Sequence, residues 1–128
     1  MSRRLLLDTH VLLWALSAPR RLPIHVAAAI RDPESDVYVS AASTWEIAIK
    51  SALGKMSADL ATIVRAARAA GFDELPISIG HTVRLRALPP LHRDPFDRLL
   101  VAQALEEHLM IVSHDRLIST YPVSRLWE

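Results

Sequence analysis

Cysteine is absent from this sequence, which removes disulfide scaffolds, thiolate metal sites and cysteine nucleophiles in one step. An excess of one charge is missing as well: 15 Lys and Arg stand against 14 Asp and Glu, a formal net charge of +1. Bulk attraction to nucleic acid or anionic lipid is therefore excluded as the leading idea, and any such binding has to come from a local patch. No apolar run approaches the ~20 residues that a membrane span requires. The start, Met1-Ser2-Arg3-Arg4-Leu5-Leu6-Leu7, faintly resembles a signal peptide, but Asp8 and His10 interrupt the apolar stretch and no clean small-residue cleavage site follows. A reducing, cytoplasmic setting is the expectation. Aromatic residues make up only 5%, which argues against an extended base-stacking platform. Repeats, low-complexity stretches and linkers are also lacking.

What remains is one domain's worth of chain, 128 residues, long enough to build a core without staples. Residues 1–128 are read as a single domain. A hydrophobic share of 51% with 23% charged residues excludes a disordered tail. The mean hydropathy of +0.19 is high for a small soluble monomer and points to a face covered by another chain.

Leu5–Leu7 is a short apolar run, as expected of a strand buried on both faces. A helix over Thr9–Leu16 follows, stopped before Pro19, and a second over Pro23–Ile30 is opened by its proline. Asp36–Ser40 reads as a strand and Ala41–Leu53 as a helix that ends at Gly54. Leu60–Ala70 is amphipathic and closed by Gly71. A short strand over Leu75–Ile79, a helix over His81–Leu88 and a loop at Pro89-Pro90 come next. Asp94-Pro95 opens a helix to about His108, and strands close the chain at Leu109–Ser113 and Val123–Leu126. Strands alternating with helices argue for an α/β sandwich with a mainly parallel sheet.

Ligands of open α/β sheets sit outside the carboxyl ends of the strands, and several acids fall in that zone. Asp8 follows the first strand directly. Asp115 lies two residues past the strand that ends near Ser113. Glu46 is in the second turn of the helix after Asp36–Ser40, and Asp97 is in the first turn of the helix after Asp94. Each acid also has a purely structural reading. Asp8 caps the helix at Thr9, Glu46 pairs with Lys50 at i,i+4, Asp94 and Asp97 serve as N-cap and N3 of one helix, and Asp115 is a turn residue. Four separate elements would have to place acids near one sheet edge by accident, so the structural readings weaken together. Two carboxylates ~4 Å apart repel by about 4 kcal/mol at an effective dielectric of ~20. A converging set therefore needs a cation or bound protons, and oxygen donors suit Mg²⁺ or Mn²⁺. The chemistry that follows from such an ion is phosphodiester hydrolysis. His10, His92 and His114 each lie within two residues of an acid, but no His-x-x-x-His or His-Glu-x-x-His spacing exists to support a zinc site. They are read as polar rim residues, and His25, His81 and His108 as surface or half-buried helix residues.

Leu5-Leu6-Leu7-Asp8-Thr9-His10, Ser43-Thr44-Trp45-Glu46-Ile47-Ala48-Ile49-Lys50 and Gly54-Lys55 resemble the first half of a PIN-domain protein of the VapC toxin type. The run from His92 to Ala104, with Asp94-Pro95-Phe96-Asp97-Arg98 inside it, and then Ile111-Val112-Ser113-His114-Asp115, is similar to the family's third and fourth acidic motifs. The likeness spans essentially the whole chain. It implies a compact α/β/α sandwich around a central, mainly parallel sheet. It also implies an endoribonuclease dependent on Mg²⁺ or Mn²⁺, usually the toxin of a toxin–antitoxin pair, commonly dimeric and covered near its acidic pocket by an antitoxin. Asp8, Glu46, Asp97 and Asp115 match the four acidic positions, Asp94 an additional acid, and Thr9 and Ser113 hydroxyl positions beside them.

On this reading Asp8, Asp97 and Asp115 hold the metal, and Glu46 positions a water and takes its proton. Lys50 orients Glu46, and Arg93, Arg98 and Arg116 hold RNA phosphates. Arg3-Arg4, Arg20-Arg21, Arg84 and Arg86 are further candidates. The helix carrying Trp14, the helix Leu60–Ala70, and Trp45 beside Glu46 are candidates for covered surface, with plain core packing as the alternative. Rival readings are a non-catalytic, Mg²⁺-binding receiver-type signalling domain, an aspartyl-nucleophile phosphohydrolase and an interaction-only module. The first is disfavoured because the only lysines, Lys50 and Lys55, lie mid-chain. The second is disfavoured because His10 stands where Asp-x-Asp chemistry wants an acid.

Overall fold

A computed structural model describes residues 3–127; the end residues 1, 2 and 128 of the expected domain lie outside the described residues. The sequence folds as β1 (Arg4–Leu7), α1 (Thr9–Ser17), a 3₁₀ turn (Pro19–Arg21), α2 (Ile24–Arg31), β2 (Asp36–Ser40), α3 (Ala41–Ala52), α4 (Leu60–Ala69), β3 (Asp73–Leu75), α5 (Ile79–Ala87), α6 (Pro95–Glu107), β4 (Met110–Val112), a second 3₁₀ turn (Arg116–Thr120) and β5 (Arg125–Leu126). The five strands form one sheet in the order β3-β2-β1-β4-β5, and every pairing in it is parallel.

Alternation along the central strands explains the two cores. Leu5, Leu7 and Val112 face one side, where they meet Val11, Leu12 and Val26 of α1 and α2 and Ile47 of α3. Leu6 and Ile111 face the other side, against Leu99, Leu100 and Ala104 of α6. This is an α/β/α arrangement with its apolar contacts on both faces of the sheet, as a parallel sheet requires.

Two predicted elements move. The third strand lies at Asp73–Leu75, paired with Tyr38–Ser40, rather than at Leu75–Ile79. Pro76 has no N–H for the ladder and ends it. Ser78 then caps α5 from below: its hydroxyl accepts the His81 amide, and His81 Nδ1 accepts the Ser78 amide. The last strand is confined to two residues, because the Val123 amide bonds back to the Tyr121 carbonyl in a turn. His81, expected at the surface or half-buried, is only 2% exposed. It is held inside by Glu107 on its Nε2 at 2.9 Å and by the Gln103 amide on its Nδ1. Both 3₁₀ turns went unread in the sequence. Among the described residues no helix is long and apolar enough to cross a membrane.

Candidate active site

The chain runs from β1 outward to β2 and β3, then crosses back to β4 on the other side of β1. The strand order reverses between β1 and β4, and that switch point is where an open parallel sheet leaves a crevice at its carboxyl edge. The Asp8 amide closes the junction by donating to the Val112 carbonyl at 3.0 Å. Asp8 therefore leaves β1, and Ser113 and Asp115 leave β4, side by side. The cleft above them, about 690 Å³, is lined by Asp8, Thr9, Glu46, Lys50, Asp94, Asp97 and Asp115, and also by His10, Trp14, Arg21, His114 and Arg116.

Local hydrogen bonding shows how each acid is held. Asp8 is the N-cap of α1, accepting the Val11 amide on Oδ1 at 2.8 Å, and the Ser113 hydroxyl bonds to the same carboxyl group. Its structural role and its place in the cleft thus coexist, as two oxygens allow. Burial pushes its pKa above the ordinary carboxylate range, against the pull of the Ser113 and Val11 hydrogen bonds. Glu46, only 3% exposed on α3, receives the Thr9 hydroxyl on Oε1 at 2.6 Å and Lys50 Nζ on Oε2 at 2.6 Å. Ser43 takes part through its own hydroxyl, 3.1 Å from that of Thr9, which accepts its proton while donating to Glu46. The bond to Glu46 raises the Lys50 pKa, so this lysine stays charged.

Asp94 is the N-cap of α6 and accepts the Phe96 and Asp97 amides on one oxygen. Asp97 stands one turn in. Burial, then the charges of Asp94 and Asp8, lift its pKa from 3.8 to about 7. Asp115 caps the second 3₁₀ turn through the Leu117 amide at 2.9 Å. Burial raises its pKa, but hydrogen bonds from His92 and Leu117 and the nearby imidazoles outweigh that, and the net shift is downward.

His92 joins the two acids of the second half. Its Nε2 lies 2.6 Å from Asp115 Oδ2 and 3.3 Å from Asp97 Oδ2. The Asp94 amide donates to its Nδ1 at 3.1 Å, which leaves Nε2 carrying the ring proton and donating to Asp115. A ring nitrogen of His92 and one carboxylate oxygen each from Asp97 and Asp115 lie within 4.8 Å of one another. The carboxylate oxygens around them are hard donors, and burial pushes two of the acids, Asp8 and Asp97, toward protonation. That donor set fits Mg²⁺ or Mn²⁺. His10 and His114 do not join this group; their rings pack against Trp14 instead.

The expected arginines separate. Arg116 lines the cleft. Arg93 is exposed beside it in sequence but is not among the lining residues. Arg98, expected to face phosphate, turns its guanidinium to the Leu88 carbonyl at 3.3 Å and ties down the α5–α6 loop. Arg21, one of the further arginine candidates, lines the cleft, and so does Trp14, whose helix was expected to be covered surface or core. The available signal was helical spacing: His10 and Trp14 stand at i,i+4 on the helix that Asp8 caps. A separate pocket of about 280 Å³, lined by Leu12, Val39, Ile63, Phe72 and Leu75 among others, lies under α4 and contains none of these acids.

The chain matches the family model described as PIN domain over residues 5–123. Among curated proteins, no sequence matches it. Its fold resembles that of VapBC2 from Rickettsia felis, solved bound to a promoter DNA fragment, at a TM-score of 0.72 and 12% identity, covering 98% of this chain and 99% of that one. It also resembles FitAcB from Neisseria gonorrhoeae, with a TM-score of 0.62, 20% identity and coverage of 95% and 96%. A toxin–antitoxin complex from Klebsiella pneumoniae gives a TM-score of 0.62 and 19% identity, with 91% and 92% covered. At these identities the likeness speaks for the fold alone, and it agrees with the family match across nearly the full sequence: this chain belongs to the PIN domain family.

Proposed function

We propose that this PIN domain is an endoribonuclease dependent on a divalent cation, and the toxin of a toxin–antitoxin pair. The observation that carries the first part is the meeting of Asp97 and Asp115 through His92 at the strand switch point, in one cleft with Asp8 and Glu46. Asp8, Asp97 and Asp115 offer the oxygens that hold the ion. When bound, Mg²⁺ or Mn²⁺ neutralises the cluster, polarises the phosphoryl oxygens and makes water a better nucleophile. Glu46, fixed by Thr9 and Lys50, takes the proton of the attacking water. Ser113 holds the Asp8 carboxylate, and Asp94 fixes the start of α6 and so the position of Asp97. Arg116 and Arg93 contact RNA phosphates, with Lys50 and Arg21 adding positive charge at the cleft. Support for the second part comes from the Klebsiella pneumoniae neighbour, described as a toxin–antitoxin complex. An antitoxin is accordingly the proposed partner, beside a second copy of this chain. A receiver-type or interaction-only reading finds no specific support in the cleft.

The test is cleavage of a mixed small-RNA pool by partner-free protein with Mg²⁺, Mn²⁺ or EDTA, beside Asp8→Asn. Asparagine keeps the helix cap, so the variant should fold, retain its melting temperature within a few degrees and lose cleavage. Turnover undiminished in Asp8→Asn overturns the site assignment. No cleavage together with no cation-dependent rise in melting temperature overturns the metal-dependent reading as a whole.

A further inference from the structure

Aromatic residues are scarce in this chain, yet they gather on one wall of the acidic cleft. The Trp14 ring lies 6.0 Å from His10 and 6.4 Å from His114, centroid to centroid. Trp127 backs them, 5.9 Å from Trp14 and 5.4 Å from His114. Arg21 sets its guanidinium carbon 4.5 Å from the centre of a Trp14 ring. Trp127 is buried, while His10, His114 and Arg21 are exposed. Core packing accounts for Trp127 and for the inner part of Trp14. It gives no reason for two solvent-facing imidazoles and a guanidinium to assemble around that indole at the mouth of the cleft.

We propose that this wall is a nucleobase subsite: an unpaired base flanking the scissile phosphate stacks in the group formed by His10, Trp14, Arg21 and His114, while its phosphate lies over the acids. The phosphate half of this statement rests on the ribonuclease reading; the base half rests on the rings. Planar π-faces and a stacked guanidinium are the surfaces on which splayed-out RNA bases settle. Base and phosphate belong to one nucleotide, so their sites must be neighbours, and here they are. His10 is two residues from Asp8, His114 is next to Asp115, and all line a single cleft. Stacking is tolerant of base identity because every base has a π-face. The substrate class that fits is therefore single-stranded or looped RNA, in contrast to continuous duplex, whose bases are already stacked inside the helix.

The test has two arms. In the first, metal-dependent cleavage of RNA by the unaltered chain checks the underlying nuclease reading. In the second, Asp8→Asn protein in Mg²⁺ is titrated with a short single-stranded oligoribonucleotide and with the same oligomer made abasic at successive positions. Affinity and tryptophan fluorescence are followed with and without the added changes His114→Ala and Arg21→Ala. These side chains are exposed, so both changes should leave the melting temperature intact. An abasic position at the subsite should weaken binding by about 5–150-fold, the range set by stacking of one base, and should abolish the fluorescence change. In the alanine variants the difference between intact and abasic oligomers should shrink. Equal binding of intact and abasic oligomers overturns the inference, whether or not the chain cleaves RNA. So does an undiminished difference in both variants. Base-dependent binding without cleavage keeps the subsite and removes the nuclease reading instead. Unchanged RNA binding in the alanine variants with weakened binding of a partner protein assigns the wall to that partner and also overturns the inference.

Discussion

Asp97 releases its proton near pH 3.8 when the chain is unfolded and near pH 7 when folded, because burial and the charges of Asp94 and Asp8 oppose its ionisation. The folded state thus binds the extra proton between these values. The contribution is fully present below pH 3.8 and is lost as pH rises through 7. Cation-free protein should therefore lose melting temperature over that window beyond what the other groups dictate. Asp97→Asn should flatten the decline, and Mg²⁺ should stabilise the unaltered protein most at the alkaline end. Calorimetric scans in EDTA decide this; parallel pH profiles for the two proteins would remove the account. Which acids belong to the cleft was legible in the sequence, because Asp8 and Asp115 trail apolar strand runs and Asp94-Pro95 announces a helix start. The His92 bridge was not legible. It joins residues 23 positions apart, and no local pattern encodes where a loop histidine will turn. The aromatic wall was missed for the opposite reason: a composition figure averages over a chain and says nothing about clustering.

At the level of elements, α3 and α6 carry Glu46 and Asp97 and are fastened to each other beneath the cleft. The Ser40 hydroxyl caps α3 at the Ala42 amide and donates to the Gln103 side-chain carbonyl on α6. The Gln103 amide then reaches His81 on α5 and the Pro76 carbonyl. All three side chains are buried, so removing one member strands the others without water. Gln103→Leu should cost about 1–3 kcal/mol, the penalty for leaving buried polar groups unsatisfied, read as a shift of the urea midpoint. A change within a few tenths of a kcal/mol would show that the network holds nothing. Helix positions were legible from caps and stops such as Pro95, Gly54 and Gly71. The end of β3 is not legible, because Leu75, Ile77 and Ile79 alternate as a strand would and only Pro76 interrupts them. The structure gives the proline precedence.

Across the whole molecule, an apolar stripe is left open on α3. Trp45, Ile49 and Leu53 stand at i, i+4 and i+8 and are 52%, 38% and 63% exposed, with Phe96 packed edge-on to Trp45 at 5.0 Å. Single exposed leucines are ordinary, but an aligned series fits the covered face expected from the mean hydropathy. Native mass measurement should find a dimer, and Trp45→Glu should shift it toward monomer; monomer alone at high concentration would remove the proposed second copy. The parallel sheet was legible from the alternation of strands and helices. Its order was not, since alternation leaves open which strand each crossover returns beside. That order has a consequence for synthesis. Asp8 and Glu46 are translated before the crossover, Asp97 and Asp115 after it, so a ribosome that stops short of codon 97 releases a chain with half a cluster. On the proposed function, termination before codon 97 should leave the host unharmed, because the released chain lacks Asp97 and Asp115. Two plasmids that divide the reading frame in the loop between α5 and α6 would each be tolerated, and any toxicity would appear only where both halves are made and find each other.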